Sequence, residues 1–498
     1  MRQAFSRIGI FSLVLVVGGG AAACGDDDDD GNNDDGGGGQ IDAGNNPDGG
    51  GTATDAGGDD GGEPDAGTEP DAGPPQPARL WVHGDFVTDA RLQVGAYVIG
   101  DDALPATPSP LFPAGDTAGL APVPSDSANY DFSRNGDFVA MPTDLEVPGR
   151  FDLYAGSTDG SDLTQVVAMT DNADVNKVRI SPDGSIIAFT ADLDEDNVLS
   201  AYIVPRNTPG ATPTLVSPAG AVDDVDDLVW SRNSNSLLVT GFFTEPGFYE
   251  LTLVDLTGAT PEFVPLVTRD DILATSASSG VIQPLVRLGT TVIFKGRMEA
   301  DNRNKLYIVD TAGTGQAEVL PNSQLLRDDG TNAALGRVDI SPDGNQLAFA
   351  SDRAAAGVFD LYIMPSNGSA AAVQLTSGLT FGAPVTGNPI KWRPDAQAVA
   401  VIATWGGVAG KDEPFVVPFD ASGQTRVINQ AEGNAAVDAE SVDWSADGSQ
   451  IFVVANYLAP TEFELFSADA ATADQTTQTL IFDVPAGGTL RHDITLTR

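Results

Sequence analysis

The chain has 498 residues, of which 71 are acidic and 25 basic, with two His, one Cys and a formal net charge of −46. Such a field repels phosphate backbones, and no basic stripe interrupts it, so nucleic acid is excluded as a partner while cations and basic surfaces fit. The His and Cys counts also exclude a three-His or Cys-rich zinc site within one chain.

Residues 1–23 are laid out as a secretory leader: Arg2 and Arg7, an apolar run at 8–17, then small residues at 18–23. The run is too short to span a bilayer. It ends in Ala21-Ala22-Ala23-Cys24, which resembles a bacterial lipoprotein signal. The resemblance implies that Cys24 becomes the mature N-terminus, carries lipid on its sulfur and anchors the protein to a bilayer without embedding it. It also implies, from Gly25 after the Cys in place of Asp, an outer-membrane lipoprotein facing the periplasm or the cell surface. Ala21 stands where that family more often has Leu, which leaves cleavage by an ordinary signal peptidase open. Next comes a tether at 24–77, whose residues 25–77 hold 16 acids, no Lys or Arg and almost nothing to bury. A stretch of that composition is solvated and self-repelling. Removing those 16 acids and the two leader arginines leaves 55 acids and 23 bases in residues 78–498, a net of −32.

From residue 78 onward the chain repeats. Ser181-Pro182-Asp183-Gly184 recurs as Ser341-Pro342-Asp343-Gly344 and, altered, as Ser445-Ala446-Asp447-Gly448. Aligned on this turn, units start at 133, 181, 231, 286, 341, 393 and 445. Pro presets φ, Asp bonds its own backbone and Gly accepts positive φ, so the motif is a tight connection and not a catalytic loop. An apolar inner strand precedes each turn (130–132, 178–180, 228–230, 338–340, 390–392, 442–444), and a β-branched or aromatic second strand follows it. A third strand is marked by Asp152-Leu153-Tyr154, Asp360-Leu361-Tyr362 and their equivalents, and a weaker fourth such as 372–375 closes the unit.

The run at 338–376, with Asp339-Ile340-Ser341-Pro342-Asp343-Gly344, Ser351-Asp352-Arg353 and Asp360-Leu361-Tyr362-Ile363, resembles a TolB-type β-propeller repeat, and the repeat at Ser181 does so nearly as well. The resemblance implies an all-β fold of four-stranded blades around a channel. Residues 79–86 and 92–99 supply second and third strands with no inner strand before them, and 490–495 supplies an inner strand with nothing after it. The expectation is a propeller of eight blades at 78–498, closed by pairing of the N- and C-terminal strands, with seven blades as the alternative.

No Gly-x-Ser-x-Gly elbow, His-Glu-x-x-His or phosphate-binding Gly-rich loop occurs. Three groups remain as candidates. His83 and His492 fall on the same composite blade, beside Asp85 and Asp493, where the bland reading as ordinary strand residues outweighs a site. Asp192, Asp194 and Asp196 alternate like the start of a calcium loop but lack its Gly and distal Glu. Propeller topology brings them beside Asp223, Asp224 and Asp226, on a rim that also carries Asp174; a solvated acidic surface outweighs calcium or a basic partner there. Asp131, Arg179, Asp339, Lys391, Asp443 and Asp493 share one inner-strand register, as channel-lining charges that satisfy one another. Two of these carboxylates roughly 5–10 Å apart would instead suit general acid–base work on a glycan. The leading expectation is therefore a membrane-anchored, non-enzymatic binding or scaffold lipoprotein with no required cofactor, engaging a protein partner or cell-surface glycan. The runner-up is a carboxylate-dependent propeller enzyme, a glycan lyase or hydrolase.

Overall fold

The computed structural model describes the strands at 79–85, 93–98 and 109–110 and, with breaks in several connections, residues 130–497. The leader, Cys24 and the tether lie outside the described residues, as do Asp196 and Asp223. The described chain is all-β, with a single 3-10 turn at Arg269–Asp271, and no described helix is long and apolar enough to cross a membrane.

The strands form successive antiparallel units of four. In the unit opening with Asp131–Phe132, the next strands are Phe138–Thr143, Asp152–Ser157 and Thr164–Val167, each paired with its predecessor. The same order repeats from Val175–Ile180, Val225–Trp230, Leu335–Ile340 and Ala439–Trp444. The fourth strand is often only two residues, as at Thr214–Leu215 and Thr425–Arg426. Two units differ from the expected pattern. Leu379–Thr380 adds a strand beside Ala398–Trp405, which also pairs with the inner strand Lys391–Trp392. Ser279–Leu288 joins the preceding unit through a parallel pairing of Phe248 with Ser279 and Tyr249 with Gly280, giving one eight-stranded sheet. That junction requires glycine: Gly280 has φ +103°, and a Cβ there would lie 2.1 Å from the Tyr249 carbonyl oxygen.

Arg79–Asp85 pairs with Gln93–Val98 on one side and with Thr489–Thr497 on the other, so the first and last described strands share a sheet. The ladder shifts register between Val82 and Gly84, the stretch that contains His83, and faces the segment containing His492.

The core lies between units. Phe138, Leu153 and Val166 of one unit pack with Val178, Phe189 and Tyr202 of the next, and further clusters join each later unit to its successor, ending with Trp444 and Ile451 against Ala400 and Ile402. Within units, second- and third-strand aromatics stack at one register, Phe189 on Tyr202, Phe294 on Tyr307 and Phe349 on Tyr362, with centroids 5.3–5.7 Å apart. A sheet with described neighbours on both sides thus buries both faces, which is why its second strand reads as a continuous apolar run.

Candidate functional site

The repeated turn is a closed hydrogen-bond unit. Ser181 Oγ donates to Asp183 Oδ1 at 2.6 Å, the Ser185 amide donates to the same oxygen at 3.0 Å, and the Ile186 amide donates to Ser181 Oγ at 3.0 Å. Ser341 with Asp343 and Ser445 with Asp447 repeat it, and Asn233 takes the Asp role beside Ser231. The Ser hydroxyl and one Asp oxygen thus hold the hairpin.

The inner-strand charges share a register in space as in sequence. Asp131, Arg179, Asp339, Lys391 and Asp443 each pair with the residue nine positions on, from Ala140 to Phe452. Asp131 Oδ1 accepts the Phe132 amide at 3.0 Å, and its Oδ2 accepts the Ile180 amide of the next unit at 2.7 Å. Burial pushes its carboxyl up to about 6, against the pull of Arg179. Arg179 Nη1 donates to the Val178 carbonyl, and its Nη2 lies 3.9 Å from Asp227 Oδ1, which also receives Lys177 Nζ at 3.3 Å. Burial alone would raise Asp227, but Lys177 and Arg179 hold it below the usual carboxylate range.

The same logic repeats further round. Asp339 Oδ1 accepts the Ile340 amide at 2.8 Å, and burial raises its carboxyl against the charges of Lys391 and Arg337. Asp443 is buried, with Oδ1 on the Trp444 amide at 2.7 Å, and Lys391 is buried too. Two indoles stitch neighbouring units at this level: Trp230 Nε1 donates to the Arg179 carbonyl at 3.1 Å, and Trp444 Nε1 to the Lys391 carbonyl at 2.9 Å. The charges therefore act as ties within and between inner strands. A described cavity of about 240 Å³ lies elsewhere, lined by Arg393, Val416, Trp444, Ser449 and Asp469.

The acidic rim is likewise tied to backbone. Asp192 Oδ1 accepts the Asp174 amide at 2.6 Å, Asp174 Oδ1 the Phe151 amide at 2.8 Å, and Asp224 Oδ1 the Leu199 amide at 3.1 Å. Asp194 Oδ2 accepts the Tyr202 hydroxyl at 2.9 Å, and the Asp226 carbonyl accepts Lys177 Nζ. The Leu199–Asp224 bond brings the Asp192 loop and the next connection together. Among the described residues no group of three acids, His or Cys is placed to hold a metal ion.

Sequence reasoning passed over a set of buried carboxylates in the first three residues of third strands: Asp152, Glu250, Asp360, Glu413 and Glu464. Asp152 receives Arg150 through two nitrogens, Gln165 Nε2 and the Met169 amide, and Glu250 receives the Phe243, Thr244 and Arg269 amides. The signal was an acid directly before the third-strand apolar residues, recurring at one register.

No family model matches the chain, and no curated protein matches it. Among solved structures, the chain is similar to β-propeller peptidases and their propeller domains. One is described in a structural and mechanistic analysis of two prolyl endopeptidases, with TM-score 0.47 and 11% identity, covering 72% of this chain and 50% of that one. Another is prolyl oligopeptidase B from Galerina marginata, with TM-score 0.47 and 12% identity, covering 78% and 56%. The chain thus spans about half the length of these two peptidases. The third is the β-propeller domain of the Trilobed protease from Pyrococcus furiosus, with TM-score 0.42 and 15% identity, covering 70% and 95%.

Proposed function

We propose that the chain is a lipid-anchored, non-enzymatic binding module: a β-propeller of eight blades, closed by its own terminal strands and held off a membrane by an acidic tether from Cys24. The eight-blade reading divides the eight-stranded sheet at its parallel junction and counts the sheet shared by Arg79–Asp85 and Thr489–Thr497 as one blade. The observation that carries the non-enzymatic reading is the engagement of Asp131: both of its oxygens are occupied by backbone amides, one from the next unit. A carboxylate used in this way is a tie between blades and not an acid waiting for substrate. Anchoring is supported by the leader and Cys24, and its occupants would be a bilayer at the lipid and a protein partner or surface glycan on the propeller.

The test is fractionation of cells that express the full chain or Cys24→Ser, with labelled palmitate. Label and protein together in the outer-membrane fraction, both lost in Cys24→Ser, are expected; unlabelled protein released in both forms would overturn the anchor. Incubating the protein with polysaccharides should yield no new reducing or unsaturated ends. Product formation that Asp131→Asn abolishes would replace the binding reading with the enzymatic one.

A further inference from the structure

The residue directly after each third strand occupies one equivalent position in successive units: Thr158, Arg206, Leu256, Thr311, Ser366, Phe419 and Ala470. In every case its amide donates to the carbonyl of the residue that precedes the second strand, from Thr158 to Asp137 at 3.0 Å through to Ala470 to Ser449 at 2.9 Å. The position therefore lies beside the turn that joins the inner and second strands, and its side chain commonly completes that turn. Thr158 Oγ1 donates to the Gly136 carbonyl at 2.9 Å, Ser366 Oγ to the Gly344 carbonyl at 2.6 Å and Arg206 Nη1 to the Gly184 carbonyl at 3.4 Å. Leu256 packs against an apolar cluster, and Phe419 sets its ring edge-on to Trp392 with centroids 5.1 Å apart.

Ala470 offers only a methyl group there. Gly448, the counterpart of Gly136, Gly184 and Gly344, is buried, and no described residue donates a hydrogen bond to its carbonyl. The cavity of about 240 Å³ opens at this point, lined by Ala470, Gly448, Trp444, Val416, Arg393 and Ser449. Around it, Arg393 is bidentate on Asp395 at 2.7 and 2.8 Å, Ser449 Oγ donates to Asp447 at 2.8 Å, and Trp444 Nε1 donates to the Lys391 carbonyl at 2.9 Å. A Cβ on Gly448 would lie 2.7 Å from Arg393 Cγ, so the part of Arg393 beside it is its methylene stem. The Gly448 carbonyl is thus the buried acceptor that the cavity offers, and exposed Ser449 marks the mouth.

A buried carbonyl without a donor is unfavourable, and the other units show what completes it. Thr158 and Ser366 bring a hydroxyl to the glycine, and Phe419 shows that an aromatic ring fits at this position against an inner-strand Trp. An apolar cavity of about 150 Å³ accommodates benzene, so 240 Å³ has room for one six-membered ring and its substituent. We propose that the cavity at Ala470 binds a small aromatic alcohol of the phenol kind, its ring against Val416, Trp444 and the Arg393 stem and its hydroxyl donating to the Gly448 carbonyl. The group awaiting a partner is an acceptor in a chain of net charge −46, which disfavours an anion. The proposal goes beyond the anchored-module reading because it needs neither the lipid nor a macromolecular partner.

The test is titration calorimetry of the full chain with phenol and with anisole, which keeps the ring and the oxygen but has no hydrogen to donate. Phenol should bind saturably at millimolar concentration and anisole about tenfold more weakly, the factor expected for one hydrogen bond to a buried acceptor. Ala470→Thr copies Thr158 and gives the Gly448 carbonyl a hydroxyl from the chain itself, so it should weaken phenol binding by about tenfold or more. Ala470→Phe, which copies Phe419, should abolish it by filling the space. Ala470→Thr keeps the test decisive if Ala470→Phe fails to fold, because it adds only a hydroxyl and a methyl. No saturable binding of phenol, equal affinity for anisole, or phenol binding unchanged in Ala470→Thr overturns the site. Membrane fractionation is read separately, so loss of the anchor and loss of the cavity site are distinct results.

Discussion

Asp131 is both a link between units and a titrating group, and the two roles have opposite consequences as pH changes. Its folded carboxyl sits at about 6 against an ordinary 3.8, so the folded protein binds the extra proton and this group's contribution weakens as pH rises from 3.8 to 6, then stays flat. Compared with Asp131→Asn, the wild-type chain should lose on the order of 1 kcal/mol of stability between pH 5 and 7. Urea denaturation of both forms at the two pH values measures it; a difference that does not change with pH would show the carboxyl to be ionised throughout. Ala396 is the other informative residue. It stands where Gly184 and Gly344 stand in the Ser-Pro-Asp-Gly turns, yet it adopts φ +56°. A Cβ in the left-handed region costs about 1 kcal/mol, so Ala396→Gly should raise stability by roughly that amount. Ser234 pays the same strain at φ 60°, but its Oγ accepts the Asp183 amide at 3.0 Å, so glycine there would trade relief for a lost inter-unit bond.

At the scale of elements, the hairpins carry the acid sensitivity. Hydrogen bonds from Ser341, Arg393 and Ser445 hold Asp343, Asp395 and Asp447 below 3.8. A depressed carboxyl contributes stability above its unfolded pKa and loses it as pH falls through the folded one. An Asp343→Asn, Asp447→Asn double variant should therefore show a shallower loss of stability below pH 4 than the wild type, in the direction opposite to the Asp131 effect. The junction between fused units makes a sharper prediction. Gly280→Ala places a methyl 2.1 Å from the Tyr249 oxygen and 2.8 Å from Ile272 Cδ1, which should cost more than 2 kcal/mol and lower the melting temperature. Local chemistry also explains what could be read in advance. The Ser-Pro-Asp-Gly hairpins were legible because proline, aspartate and glycine determine their turn within four residues. The third strand Asp412–Pro418 carried no acid-Leu-Tyr signature, and the Phe248–Ser279 pairing depends on two segments meeting in space.

For the whole molecule, register was legible and electrostatics less so. Asp131, Arg179, Asp339, Lys391 and Asp443 occupy one ladder position, yet the use of the carboxylates as backbone acceptors is visible only once amides are placed around them. The buried third-strand acids escaped notice because carboxylates normally stay in water. Successive units share their apolar clusters, so loss of one unit strips a face from each neighbour. Trp444, fully buried and bonded to the Lys391 carbonyl, should accordingly unfold the described units together when replaced: Trp444→Ala should cost about 3–5 kcal/mol within a single melting transition.

Arg79 pairs with Thr497, partners separated by roughly 400 residues of intervening chain, and the time order of synthesis gives that pairing a cost. Strands that meet late close the longest loop and fold slowly. Until Thr489–Thr497 arrives, Arg79–Asp85 presents an open edge, able to pair with another chain. A nascent molecule is therefore exposed at that edge until Thr489–Thr497 has been made, and Arg79–Asp85 depends for protection on a strand synthesised long after it.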